Sequence, residues 1–146
     1  MSKDFAPSDC SKQSAVIPYR SKNGALEVLL ITSRRKKNWI IPKGIIEPHL
    51  SPQKSAAKEA LEEAGLTGKV SKKSIGSYKF NKCGRICTAK VYCMKVKKVN
   101  KKWEEPWRKR KWFALDKIPK RIKKKALRNI VLKLPDFLQH KPVEWV

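Results

Sequence analysis

The stretch from Ser51 to Gly65 constrains this chain more than any other. Ser51 is a residue whose side-chain oxygen can accept from the free N–H groups of a helix start, and Pro52 suits the first helical position. No breaker follows until Gly65, the residue type that most readily takes the left-handed turn ending a helix. At about 100° per residue, Ala57, Ala60, Leu61 and Ala64 share one face, and Glu59, Glu62 and Glu63 lie nearly opposite. Short apolar runs separated by turn residues flank this helix, so a helical bundle is excluded and strands must surround it.

Upstream, Ser14–Tyr19 and Leu26–Thr32 read as strands joined through the Asn23-Gly24 hairpin signal. Ser33–Asn38 is a basic loop, and Trp39–Ile41 is a third short strand stopped by Pro42. Pro42-Lys43-Gly44 opens a loop running to Leu50. Downstream, Lys69–Val70, Ile75–Phe80 and Ile86–Val96 read as strands, with Asn81–Gly84 as a turn, and Trp112–Leu115 as another. Lys120–Leu134 reads as one amphipathic helix with Ile122, Ala126, Leu127, Ile130, Val131 and Leu134 on its apolar side, ended by Pro135. Strands, helix, strands, helix without repeat or linker predict one α/β domain over residues 14–146, behind a flexible 1–13.

Thirty-six Lys+Arg against 12 Asp+Glu leave a net charge of +24. Chains this charged can be disordered, but those lack aromatics and β-branched runs; this one has five Trp and runs such as Val28-Leu29-Leu30-Ile31. The positive field favours phosphate-rich partners and admits nucleic acid. No apolar stretch approaches the ~18 residues of a membrane span, and the start MSKDFAPSDC has no apolar leader core, so a cytoplasmic protein is expected. Cys10, Cys83, Cys87 and Cys93 lack the close paired spacing of a zinc site. They read as free thiols, with Cys87 and Cys93 as small buried strand side chains.

Three of the 12 acids fall within residues 59–63, at spacings that bring them together on one helix face. They follow directly on a loop whose backbone carbonyls can face the same point. Such an oxygen-rich nest suits Mg²⁺ or Mn²⁺, which stabilise charge on a phosphoryl group and activate water. A carboxylate left unligated could act as general base.

The stretch GIIEPHLSPQKSAAKEALEEAGL, residues 44–66, resembles the Nudix box. Gly44, Glu59, Glu62, Glu63, Gly65 and Leu66 occupy the family's places, and Ala60 its hydrophobic place. Leu50 stands where the pattern has a loop Glu, and Lys58 where it has Arg. The resemblance reaches over residues 14–134. Arg34-Arg35 ahead of Trp39, and Trp103-Glu104-Glu105 followed by Arg108–Phe113, are similar to the diphosphoinositol polyphosphate phosphohydrolase branch.

This resemblance implies an α/β/α sandwich around a mixed sheet and a Nudix pyrophosphohydrolase that cleaves a diphosphate linkage with Mg²⁺ or Mn²⁺. By position it implies metal ligands at Glu59, Glu63 and the Gly44 carbonyl, with Glu62 as a third ligand or the proton acceptor; Glu62 and Glu63 are the catalytic candidates. Arg20, Arg34, Arg35, Lys43, Arg108 and Arg110 are candidate phosphate contacts, while Trp39 and Trp112 read as core anchors. The expected substrate is a diphosphoinositol or dinucleoside polyphosphate. Hydrolysis of diadenosine tetraphosphate or of RNA 5′ ends is the alternative enzyme, and a catalytically weak Nudix-fold nucleotide or RNA binder the alternative of another class.

Overall fold

The computed structural model describes residues 12–140 and 142–146. Its strands are β1 (Lys12–Lys22), β2 (Ala25–Thr32), β3 (Trp39–Ile40), β4 (Lys43–Ile45), β5 (Leu66–Val70), β6 (Gly76–Lys82), β7 (Arg85–Val99) and β8 (Arg110–Ala114). Its helices are α1 (Pro52–Ala64), α2 (Ile118–Arg121), α3 (Lys125–Val131) and α4 (Leu134–His140), with a 3₁₀ turn at Leu115–Lys117. None of the described helices is long and apolar enough to cross a membrane.

All eight strands join one mixed sheet whose main path runs β3-β2-β1-β7-β5. The parallel pair is β1 with β7, in register from Lys12↔Thr88 to Tyr19↔Lys95. Both hairpins β1–β2 and β6–β7 close through two residues with positive φ, Asn23-Gly24 and Cys83-Gly84. That pairing of dihedrals is the mirror-image turn whose twist matches the flanking strands.

Central strands are apolar on both faces because both are covered. Val28 and Leu30 of β2 and Val91 of β7 point to the side of α2–α4, where they meet Ile118, Ile122, Leu127 and Val131. Leu29, Ile31 and Val16 point to the other side, against Ala56, Ala60 and Ala64 of α1. The result is the expected helix–sheet–helix sandwich. Removing a side chain such as the fully buried Leu30 would cost about 2–5 kcal/mol.

Helix α1 begins and ends as its sequence dictates. The Ser51 hydroxyl accepts from the Lys54 N–H at 3.1 Å. Gly65, at φ 67°, donates its N–H to Leu61 O at 3.0 Å. A methyl at Gly65 would meet Trp103 Cβ and Arg110 Nη1 at 2.8 Å. Gly65→Ala should therefore cost at least ~1–2 kcal/mol from the left-handed backbone alone. Denaturant unfolding showing no loss would refute that account.

Several sequence expectations are corrected. The face of α1 in contact with the sheet is turned by part of a helical turn. Ser55, Ala56, Ala60, Glu63 and Ala64 are buried, while Leu61 is 44% exposed. A stripe of Ala lets the helix backbone lie close on the sheet, and this rotation carries Glu63 inward. Lys43–Ile45, read as loop, is a strand paired with β1 (Ser14↔Gly44). Its pairing partner lies thirty residues away, so no local pattern announces it. Lys12 and Gln13, read as part of a loose N-terminus, belong to β1; residues 1–11 lie outside the described residues.

The expected helix Lys120–Leu134 is broken. Ile122 and Lys124 take extended backbone (ψ 113° and 114°) between α2 and α3. Like charges crowded at helical spacing weaken a helix, and the break lets Ile122 bury while its cationic neighbours stay exposed. Pro135 stands in the first turn of α4, where its missing N–H costs nothing; it begins a helix and ends none. Ala126 is exposed. Cys83 and Cys93 are free thiols, but Cys87 is disulfide-bonded, so its reading as a free thiol was wrong.

Candidate active site

Beside α1 the sheet opens into a cleft of about 920 Å³. Its acids are Glu47 from the loop after β4, Glu59, Glu62 and Glu63 from α1, and Glu105 from the loop before β8. The cations Arg34, Lys43, Lys82, Arg108 and Lys124 also line it and come from five places in the sequence.

The acidic group is built by the closeness of β4 to α1. The Glu59 carboxyl lies directly against the Gly44 backbone, so that a Cβ there would stand 2.3 Å from Glu59 Cδ. The Lys43 N–H donates to Glu63 Oε1 at 3.3 Å. The Glu47 N–H donates to the Ser55 hydroxyl at 3.1 Å, tying the loop to the helix. Glu105 donates its N–H to the Glu62 carbonyl at 3.0 Å, which fixes the 101–109 segment on the C-terminal half of α1.

Burial sets the electrostatics. It pushes the Glu63 carboxyl up to about 8; Arg108 opposes this and the neighbouring Glu59 charge adds to it. Glu59 is raised chiefly by burial as well. Two carboxyls in one half-dry corner resist ionising together unless a cation joins them. Beside them, burial pushes the Lys43 ammonium down to about 8, opposed by Glu63. Its Nζ lies 4.2 Å from the Phe80 ring centroid.

Glu62 is differently placed. Lys58 Nζ holds its carboxylate at 2.6 Å and that of Glu47 at 3.3 Å. The replacement of a loop acid by Leu50 therefore does not leave Lys58 unpartnered. Glu47, three residues earlier, supplies the acid, and the loop is braced to the helix through it.

Among the described residues, no three His, Cys, Asp or Glu side chains already stand as a ready ligand group for a metal. The site offers the buried Glu63, which accepts the Lys43 N–H, and the half-buried Glu59 against the Gly44 backbone. That set fits Mg²⁺, which takes one or two carboxylates and fills its remaining positions with waters and substrate phosphate oxygens.

The basic side chains singled out by sequence divide in two. Arg34, Lys43 and Arg108 line the cleft; Arg20, Arg35 and Arg110 are not among its lining residues. Arg108 is 8% exposed, donating through Nε to Glu105 Oε1 and through Nη1 to the Thr32 carbonyl, both at 2.8 Å. Arg20 pairs with Glu27, its cross-strand neighbour, at 2.7 Å and stacks 4.1 Å over Trp112. Arg110 donates through Nη1 to the Ala64 carbonyl at 2.7 Å and lies over Trp103, capping the C-terminus of α1. Trp39 packs edge-on to Phe113 against the core. Glu47, Lys82, Glu105 and Lys124 line the cleft without having been singled out as site residues. Glu105 stood in the quoted Trp103-Glu104-Glu105, whereas Lys124 is locally indistinguishable from the lysines beside it.

A mixed sheet between helices, with a glutamate-bearing helix lying on a Gly-containing strand at a cleft, defines a Nudix-type fold. The NUDIX domain model matches residues 12–134, and the chain belongs to the Nudix family. It is a Nudix pyrophosphohydrolase, and hydrolases of this family generally use divalent metal ions. Diphosphoinositol polyphosphate phosphohydrolase 3-beta of Bos taurus is 31% identical over 117 residues, which are 78% of this chain and 70% of the relative. Diphosphoinositol polyphosphate phosphohydrolase 2 of Rattus norvegicus is 33% identical over 108 residues, 72% of this chain and 59% of the relative. Among solved structures, a C. elegans Ap4A hydrolase superposes with a TM-score of 0.73 at 21% identity, covering 88% of this chain and 98% of that one. The NUDIX domain of Shewanella oneidensis NrtR, complexed with ADP ribose, superposes with a TM-score of 0.71 at 12% identity over 95% of this chain and all of that one.

Proposed function

We propose that this chain hydrolyses a phosphoanhydride bond in a small molecule carrying several further phosphates. A diphosphoinositol polyphosphate is the first choice and a dinucleoside polyphosphate the second. We read residues 14–146 as the one domain that does so. The observation that carries this reading is the mixed lining of the cleft, where Glu47, Glu59, Glu62, Glu63 and Glu105 stand with Arg34, Lys43, Lys82, Arg108 and Lys124. A substrate with one diphosphate and no other charge would need fewer cations than these. The named activity of the diphosphoinositol polyphosphate relatives supports the first choice.

In this reading Glu59, Glu63 and the Gly44 carbonyl hold Mg²⁺ or Mn²⁺. When bound, the ion supplies charge stabilisation on the phosphoryl oxygens and lowers the pKa of a water. Glu62, held by Lys58, serves as a third ligand or accepts the proton of the attacking water. Lys43 and Arg108 hold the phosphates beside these carboxylates, and Lys82 and Lys124 hold the charges farther out. The substrate class is tested by phosphate release with Mg²⁺ and with Mn²⁺ across diphosphoinositol, dinucleoside polyphosphate and capped-RNA substrates. Lys82→Ala with Lys124→Ala should raise KM about tenfold or more for a highly phosphorylated substrate, since each charge-assisted contact contributes about 1.5–3 kcal/mol when fully made. The same pair should barely move KM for a simple nucleoside diphosphate derivative. Equal shifts on both would show general electrostatic attraction instead.

The metal has a signature in stability. A carboxyl whose folded pKa is raised adds stability only while protonated. The Glu63 contribution is thus complete below its usual 4.5 and lost as pH rises through about 8. Metal binding needs the ionised form, so the thermal stabilisation by Mg²⁺ or Mn²⁺ should grow across that same window. Melting curves with chelator and with metal would show it. A metal effect that is flat with pH would remove Glu63 from the ligand set.

A further inference from the structure

We propose that α2, α3 and the turn between them form a sequence-independent binding surface for the backbone of a nucleic acid strand, adjoining the rim of the hydrolytic cleft at Lys124. Residues 117–133 contain six lysines and two arginines and no acid. None of these eight is in an ion pair among the described residues. Lys120, Arg121, Lys123 and Lys125 are all exposed. The flanking acids Asp116 and Asp136 also lack an ion-pair partner among the described residues, although cations surround them in sequence.

Holding so many like charges on two short helices works against the fold, because each repels its neighbours at helical spacing. The core compensates, since Ile118, Ile122, Leu127, Ile130 and Val131 are all buried beneath this layer. A polyanion lying over the layer would relieve the repulsion. The layer also runs without a break into the cleft rim, because Lys124 belongs to both.

The chemistry of the layer selects its occupant. Its apolar side is already spent on the core, so it has no free face to sink into a bilayer, as a membrane-surface helix requires. The cations are mostly Lys, which acts as a point charge on phosphate, and seldom Arg, whose planar fork reads paired acceptors. Lys-dominated contact with phosphates carries affinity without sequence information. The exposed charges of Lys120, Arg121, Lys123 and Lys125 are spread along the surface and line neither described cavity, which suits a chain of phosphates better than a compact anion.

The test uses the whole chain and an oligouridylate about 16 nucleotides long, blocked at its 5′ end by fluorescein, so that the cleft chemistry is not what is read. Anisotropy titrations should show binding that weakens steeply between about 50 and 200 mM salt. Lys120→Gln, Lys123→Gln and Lys125→Gln together should weaken binding about tenfold or more at low salt and flatten the log–log salt slope by about 2. Lys69→Gln, Lys95→Gln and Lys97→Gln remove the same charge from exposed positions on β5 and β7. This control should change affinity less than about twofold. Phosphate release from a small substrate should survive in both triple variants, which separates this surface from the hydrolytic reading. Equal weakening in the two variants would mean that overall charge binds the strand, and would overturn the proposal. So would failure of the oligonucleotide to bind at low salt, or capture of phosphatidylserine vesicles in its place.

Discussion

Glu63→Gln should lower turnover about a hundredfold or more while leaving the metal-free protein at least as stable as the parent. The two halves of this expectation have one cause. Glu63 is 7% exposed and shares its corner with Glu59, so burial makes it costly to ionise there without a cation. Gln keeps the shape and can still accept the Lys43 N–H, but carries no charge for a cation to use. Without metal, the substitution replaces a carboxyl that resists ionising; with metal, it removes a proposed ligand. Melting temperatures and turnover of the same preparation read both effects. Normal turnover with a saturating ion would overthrow the assignment, and a large loss of metal-free stability would show a structural role in its place.

Gly44→Ala should be nearly as damaging to activity and almost silent in stability. Gly44 has no positive φ, so Ala meets no backbone strain there. Its methyl would collide with the Glu59 carboxyl, the nearest three atoms falling at 2.3 to 2.7 Å. That group is the end of a flexible side chain and can swing aside at small cost to folding. Displacing a group in a reaction centre by about 1 Å can cost about a hundredfold in rate. We therefore expect a loss of ten- to a hundredfold in kcat with stability within about 0.5–1 kcal/mol of the parent. The double variant with Glu59→Gln should be no worse than the worse single one, because both act on one carboxylate. Additive losses would mean that Gly44 acts through something other than Glu59.

What the sequence determined by itself is local. The limits of α1 followed from Ser51, Pro52 and Gly65, because caps are made within one helical turn. The Asn23-Gly24 hairpin followed from a two-residue preference for positive φ. The alternation of strand and helix, and with it a mixed sheet between helices, followed from the lengths and spacing of the apolar runs. The grouping of Glu59, Glu62 and Glu63 followed from the helical repeat, and their spacing after Gly44 carried the resemblance to the family. What only the tertiary structure decided depends on contacts between segments far apart in the chain. The rotation of α1 was set by how closely its alanines can approach the sheet, and this buried Glu63 and exposed Leu61. The strand at Lys43–Ile45 exists because β1 lies beside it. Arg110 and Arg108 stand two residues apart in the same basic run, yet one caps α1 through the Ala64 carbonyl and the other lines the cleft. Arg108 lies in the bend before β8 and Arg110 begins β8, so their side chains leave the backbone in different settings, and only the surrounding fold settles which one faces the chemistry. Packing of the loop on α1 likewise brings Glu47 to Lys58 across eleven residues. A pattern of residue types specifies turns, caps and faces, but which charge meets which is fixed by packing, since a cation can pair only with what the core has already placed beside it.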